Sequence, residues 1–335
     1  MKSLEIKNGE PIAAPTATSM PGYNEGIPFD ANLFKDLNIN RSAVERRAAT
    51  LPKRRSVKKQ YQAAWLLKAI SCIDLTTLAG DDTRGNVIRL CAKAKAPVRA
   101  DLLKAMDMDK AGIHVGAVCV YHNLIPYALE ALEGTSIPIA AVSTGFPAGN
   151  ISLKEKIHQI KASVSAGATE IDIVISRDLV LHSKWQELYD EVAACKAACG
   201  KAHMKTILAT GEIPTYTKVA KASWVSMMAG SDFIKTSTGK ESVNATLPVS
   251  LVMVRAIREY HQLTGIKVGF KPAGGIRKAK QALNWLILLK EELGIDWLQP
   301  ELFRFGASSL LGDIERQLEH FVTGRYSAAY RHPMG

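Results

Sequence analysis

Two lysines offer the most specific chemistry in this sequence. Lys235 stands in Gly230-Ser231-Asp232-Phe233-Ile234-Lys235-Thr236-Ser237-Thr238-Gly239-Lys240, where a short apolar strand runs out into hydroxyl-bearing residues and a glycine. A lysine at the end of a buried strand does not reach water easily. It must be neutralised, paired or used, and a desolvated lysine amine is the group that forms Schiff bases with carbonyl substrates. A single strand-end lysine more often reaches solvent along its own methylenes. Here the arrangement repeats. Val268-Gly269-Phe270-Lys271-Pro272-Ala273-Gly274-Gly275-Ile276-Arg277 places Lys271 at the end of another apolar strand, ahead of a glycine pair. Lysines at the ends of neighbouring strands face one mouth, and each disfavours protonation of the other, which frees one amine at neutral pH. Asp172, inside the apolar run Thr169-Glu170-Ile171-Asp172-Ile173-Val174-Ile175, adds a carboxylate. It is read either as a salt-bridged interior acid or, beside two lysines, as a proton shuttle.

Positioning such groups takes a scaffold of strands that all end on one side. Apolar strand candidates cover residues 71–75, 115–120, 137–143, 170–175, 204–208, 233–236, 267–271 and 302–306. Helical patterning follows most of them, over 153–166, 185–199, 216–228, 247–264 and 278–292. Eight strand-then-helix units predict an α/β fold, a TIM (β/α)8 barrel, with its active site at the carboxyl ends of the strands. A doubly wound sheet is the alternative, but the chain lacks a GxGxxG first turn to bind a dinucleotide. The spacing of Val57, Tyr61, Ala64 and Trp65 predicts a helix over 57–70, read as a cover for the barrel bottom. Three segments are expected: a partly disordered N-terminal extension over 1–56, the barrel over 57–322 and a tail over 323–335.

Barrels of this kind often bind phosphate with the loops after strands seven and eight and a nearby helix N-terminus. Those loops are Gly274-Gly275 and Gly306-Ala307-Ser308-Ser309. The glycines let backbone N–H groups close on an anion, and Ser308 and Ser309 can donate as well as cap a helix. Thr238 and Lys240 would add a hydroxyl and a charge from the Lys235 loop. Tight turns and a plain N-cap would explain the same residues without a ligand.

At 335 residues and 47% hydrophobic content, the chain is long enough for one large barrel domain. No apolar run reaches membrane-spanning length, and the first residues lack the apolar core of a signal peptide, so membrane association is not expected. Five cysteines, an odd number, give no disulfide framework and point to a reducing, cytoplasmic compartment. Cys195 and Cys199 read as helix residues. The net charge of +11 is partly concentrated in Lys53, Arg54, Arg55, Lys58 and Lys59. That run is either a solvated flank or a contact for protein, nucleic acid or nuclear import, without aromatic residues for base stacking.

The segments 231–240 and 271–277, with Ile73-Asp74-Leu75-Thr76-Thr77-Leu78 and Phe305-Gly306-Ala307-Ser308-Ser309-Leu310-Leu311, resemble the deoxyribose-phosphate aldolase family, and its animal members in particular. The resemblance runs from about Val57 to about Arg325. It implies a class I aldolase of TIM-barrel fold that needs no metal or other cofactor and cleaves 2-deoxy-D-ribose 5-phosphate reversibly in deoxyribonucleoside catabolism. It further implies Lys235 as Schiff-base nucleophile, Asp172 and Lys271 as proton donors and acceptors, Asp74 as a partner of a lysine or of a substrate hydroxyl, and Cys119 at the pocket wall. Without the resemblance, Asp74 reads equally as a cap for the following turn, and Cys119 as a small buried hydrophobe. Bacterial relatives end in a tyrosine credited with proton transfer to the enamine. This chain ends differently, and Tyr326 and Tyr330 are left out of the catalytic set. The partner expected is a small sugar phosphate, with self-association in addition. Another Schiff-base aldolase or transaldolase, or a basic interaction scaffold on an inactive barrel, are the rival readings.

Overall fold

The computed structural model describes residues 23–333 apart from Arg55. Eight short parallel strands form its centre: β1 (Ile73–Thr76), β2 (Ala117–Tyr121), β3 (Ile139–Val142), β4 (Glu170–Val174), β5 (His203–Ile207), β6 (Phe233–Lys235), β7 (Gly269–Lys271) and β8 (Phe305–Ala307). They pair in the order β7-β6-β5-β4-β3-β2-β1-β8. Between the two end strands, Phe270 bridges Phe303 and Ala273 bridges Gly306. Backbone bonds from Arg304 N to Phe270 O (3.1 Å) and from Gly306 N to Pro272 O (2.9 Å) complete the closure. The fold is a TIM barrel, as the alternation predicts. Several strands begin one to three residues later than the apolar runs do, as with β7 against a run from 267.

Helices cover the outside in chain order: α1 (Arg41–Arg54), α2 (Lys59–Ser71), α3 (Arg84–Lys95), α4 (Ala100–Ala105), α5 (Ile125–Leu132), α6 (Leu153–Ser165), α7 (Arg177–Leu181), α8 (Trp185–Cys199), α9 (Tyr216–Met228), α10 (Leu247–Thr264), α11 (Ala279–Glu292) and α12 (Ser309–Thr323). Thr83, Ser152, Thr215 and Thr246 open α3, α6, α9 and α10 by accepting a first-turn N–H, which satisfies one orphan donor of each helix. No helix among the described residues is long and apolar enough to cross a membrane.

The strand period of two sorts side chains between two cores. Ile73, Leu75, Val118, Val120, Ile171, Ile173, Met204, Ile234 and Phe270 face outward into the apolar layer beneath the helices. The alternate positions face the barrel axis and carry the charges. Cys119, Ala140 and Val142 form the inner apolar wall, with Leu78, Tyr121 and Phe146 against them. This alternation puts every candidate catalytic side chain inside the barrel.

Helix α2 packs against α11 and α12. Leu66, Leu67 and Ile70 bury its inner face there. The start of the sequence falls into two parts: residues 1–22 lie outside the described residues, and residues 23–54 lie against the barrel. Asn24 is fully buried, donating from Nδ2 to Met227 O (2.7 Å) and Ser231 O (2.9 Å). Its backbone N–H donates to Asp232 Oδ1 (2.7 Å), three residues before Lys235. Helix α1 packs on α10 and α11, and Arg47 pairs with Glu291 (2.8 Å) and Glu292 (3.2 Å). The basic run spans the last residues of α1, the turn after it and the first residue of α2, with Arg55 outside the described residues.

Candidate active site

Strands β6 and β7 pair so that Lys235 and Lys271 are direct neighbours in register. Both ammonium nitrogens reach one oxygen, Asp172 Oδ2, at 2.7 and 2.8 Å. The structure therefore brings together the three residues singled out for chemistry, Lys235 and Lys271 as the last residues of β6 and β7 and Asp172 in the middle of β4. Lys271 is fully buried and Lys235 is 3% exposed, so Lys235 is the one nearer the mouth.

Beneath them lies a cluster in which each charge meets its opposite. Lys271 pairs with Asp74 as well as with Asp172. Asp74 accepts from Arg304 Nη1 (2.6 Å), and Arg304 Nη2 donates to Glu170 Oε1 (2.8 Å). Glu170 Oε2 accepts from Lys205 (2.5 Å), whose Nζ also donates to Asp172 Oδ1 (3.1 Å). The path Arg304, Asp74, Lys271, Asp172, Lys205, Glu170 and back to Arg304 is a closed ring of three cations and three carboxylates. Lys235 hangs from it by Asp172 alone.

Burial penalises every charge here, so proton affinities follow the partners. Burial works to raise Asp172, yet Lys205, Lys235 and Lys271 outweigh it and hold the carboxyl well below its ordinary range. Asp74 and Glu170 are likewise held down against burial, the first mainly by Lys271 and Arg304, the second by Arg304 and Lys205. Burial opposes the charge on Lys271, but Asp172 and Asp74 raise its proton affinity above that of an ordinary lysine. Lys205 is raised in the same way by Asp172 and Glu170. Lys235 moves the other way. Burial, then the charge of Lys271, lower it against the pull of Asp172. This amine gives up its proton most readily.

Of the candidate binding residues, Asp74 is fully buried in the ring, so its contacts are with Lys271 and Arg304. Cys119 lies in the inner apolar wall, and burial, aided by Asp172, pushes its thiol up to about 11. It is a neutral wall group. Tyr121 and Phe146 extend that wall edge to face, with ring centroids 6.0 Å apart.

The loops after β6, β7 and β8 meet beside the lysines. Ser237 Oγ donates to Ala273 O (2.6 Å), and Ala273 bridges Gly306. Gly274 has φ +79°, and a Cβ there would lie 2.6 Å from the Asn244 side chain, so only glycine lets that loop close. Gly275, Ser308 and Ser309 are exposed, and Ser308 opens α12 without a side-chain cap, leaving first-turn N–H groups free to meet an anion. Thr238 is engaged differently: its N–H and hydroxyl both donate to Glu241, at 3.0 and 2.7 Å to Oε2. Lys240 is exposed on the same loop.

Sequence reasoning missed Lys205, Arg304, Glu170 and Glu241. The first three left a signal: charged residues at alternate positions of apolar strands, or just ahead of one, are aimed inward at one another. Tyr326 and Tyr330 are 90% and 84% exposed, and Tyr326 stacks on His320 of α12 on the outer surface. Neither contacts the lysines.

Residues 68–288 match the family model described as DeoC/LacD family aldolase. The mouse (Mus musculus) deoxyribose-phosphate aldolase is 60% identical over 94% of this chain and all of its own length. The human (Homo sapiens) deoxyribose-phosphate aldolase is 58% identical over the same shares. The tetrameric deoxyribose phosphate aldolase of Aeropyrum pernix superposes with a TM-score of 0.55 at 21% identity, over 84% of this chain and 99% of that one, a likeness of fold. A barrel with paired lysines at its mouth and relatives this similar along nearly its whole length leave one assignment: the chain belongs to the DeoC/LacD family of aldolases.

Proposed function

We propose that this aldolase reversibly cleaves 2-deoxy-D-ribose 5-phosphate to D-glyceraldehyde 3-phosphate and acetaldehyde through a Schiff base on Lys235. The observation that carries the mechanism is the contrast between two adjacent lysines: Lys271 holds its proton between two carboxylates, while Lys235 shares one of them and has its proton affinity lowered. The relatives' shared name supplies the substrate.

The free amine of Lys235 adds to the aldehyde carbon, and the carbinolamine loses water to give an iminium. A base removes the C3 hydroxyl proton, the C2–C3 bond breaks, and its electron pair flows into the iminium as a neutral enamine. D-glyceraldehyde 3-phosphate leaves. Protonation of the enamine at C2 and hydrolysis release acetaldehyde and restore the amine. Asp172 and Lys271, both within hydrogen-bond reach of the Lys235 nitrogen or its carboxylate partner, move the protons, with water able to bridge to the C3 hydroxyl. The anion seat of Gly274, Gly275, Ser308 and Ser309 holds the phosphate, and its binding energy orients the aldehyde toward Lys235. Thr238 organises the neighbouring loop through Glu241, and Lys240 adds positive charge.

The same reading places the enzyme in deoxyribonucleoside catabolism in the cytoplasm. The tetrameric Aeropyrum pernix relative favours self-association. The test is borohydride trapping with 2-deoxyribose 5-phosphate followed by peptide mass spectrometry. A reduced adduct on Lys235 is expected. An adduct on Lys271 would exchange the two lysines' roles. No adduct on folded protein would remove the Schiff-base mechanism and bring the basic interaction scaffold forward.

A further inference from the structure

The closed ring beneath Lys235 has a consequence for which of the buried amines is free. Its members come from five strands or their leading residues: Asp74 on β1, Glu170 and Asp172 on β4, Lys205 on β5, Lys271 on β7 and Arg304 ahead of β8. Three carboxylates face three cations, so the ring is neutral without any contribution from Lys235. The remaining walls add no charge to the count. Strand β2 offers the neutral Cys119 thiol, β3 offers Ala140 and Val142, and His203, in register with Glu170, is kept neutral by burial. A protonated Lys235 would therefore be a fourth cation in a water-poor interior with three anions, each already shared. An uncompensated buried charge is the costly arrangement, and the group nearest the mouth relieves it by releasing a proton.

We propose that Arg304, locked to Glu170 and Asp74 at the far side of the ring, is a positioning residue for charge: it makes Lys235 the surplus cation and so keeps that amine free to attack. Arg304 is the natural anchor because a guanidinium does not deprotonate in a protein, whereas a lysine in its place could yield the proton instead. It is 4% exposed and its fork meets both Asp74 and Glu170, so its charge is fixed in place as well as in sign. If Arg304 is removed, three carboxylates face Lys205, Lys271 and Lys235 alone. Lys235 then completes the balance and holds its proton. The proposal rests on reading Lys235 as the attacking amine.

The test reads the titration of Lys235 without needing turnover. The full-length protein is pulsed with acetic anhydride across a pH series, and acetylation of Lys235 relative to exposed Lys240 is measured by peptide mass spectrometry. Arg304→Met should raise the Lys235 midpoint by about one unit or more, a loss of roughly tenfold in free amine on the acid side. Adding Glu170→Gln to that variant removes one anion and should return the midpoint to the wild-type value. Disruption of packing would not be repaired by a second buried substitution. An unchanged midpoint in R304M, or no recovery in R304M/E170Q, overturns the proposal. Where R304M does not fold, E170Q takes its place: its midpoint should fall below wild type and recover in the double variant, and failure of either overturns it equally. Absence of a borohydride adduct in the wild-type protein would instead sink the Schiff-base reading, with the acetylation titration still standing as measured.

Discussion

Asp172→Asn is the substitution whose effect the structure defines most fully. The carboxylate accepts from Lys235, Lys271 and Lys205 at 2.7, 2.8 and 3.1 Å. Asparagine keeps the shape and removes the charge. Asp74 and Glu170 are then left to balance Arg304, Lys271 and Lys205, so a lysine besides Lys235 must become neutral in the folded protein. Taking a proton from a lysine of ordinary pKa near 10.4 at pH 7 costs about 4.6 kcal/mol, at the rate of about 1.36 kcal/mol per unit. Breaking a buried ion pair by removing one partner costs about 3–5 kcal/mol. Both routes give a loss of about 3–5 kcal/mol for D172N near neutral pH. The pH dependence separates this account from simple loss of packing. The affected lysine has a depressed folded value, so the unfolded chain binds one more proton than the folded chain throughout the window up to about pH 10. The deficit relative to wild type should therefore shrink as pH rises, by up to about 1.4 kcal/mol per unit. Guanidinium unfolding of both proteins between about pH 6 and 9 measures it. A deficit that stays level across that range would refute the charge argument. In the same preparation, kcat/KM should drop by about 10²–10⁴ through loss of proton transfer.

Other perturbations probe different parts of the molecule. Lys235→Arg puts a fixed charge beside Asp172 where the lysine is a free amine, and it cannot form an imine; cleavage and borohydride adduct should both vanish while the unfolding curve remains cooperative at a lowered midpoint, and appreciable turnover would sink the assignment. Aspartates in place of Ser308 and Ser309 put negative charge at the start of α12; KM for deoxyribose 5-phosphate should rise far more than for unphosphorylated deoxyribose, and equal losses would argue against an anion seat there. Asn24→Ala strips partners from buried Met227 O, Ser231 O and Tyr260 OH; it should cost about 2–3 kcal/mol of stability, seen as a lower unfolding midpoint, and a loss below about 0.5 kcal/mol would mean that the segment is not integral to the barrel.

The sequence made the barrel legible because apolar runs ending in polar loops recur eight times at the spacing that strand and helix units require. It also made Lys235, Lys271 and Asp172 legible, since a charge inside or at the end of an apolar run is anomalous whatever its neighbours. Lys205 and Arg304 are charges of the same kind, yet one lies in mid-strand and the other just ahead of a strand, not at a carboxyl end, and a single strand does not say what a side chain meets across the axis. Asn24 was invisible for another reason. It sits in a stretch without periodicity, and its value comes from contacts more than 200 residues away.

The hardest distinction was between the two lysines. On the page they are nearly interchangeable: each ends an apolar strand and precedes glycine, and only family resemblance picked Lys235. Closure of the barrel breaks that symmetry. Strand β7 is the last before the seam, and β8 pairs with β1, so Lys271 comes within reach of Asp74 as well as Asp172. Strand β6 is one place further from the seam, and Lys235 has Asp172 only. Two anions hold one proton fast; one anion, already shared with Lys205 and Lys271, does not hold the other. Which amine is nucleophilic is thus decided by each strand's place around the barrel, a property that arises only when strands far apart in the chain close into a ring.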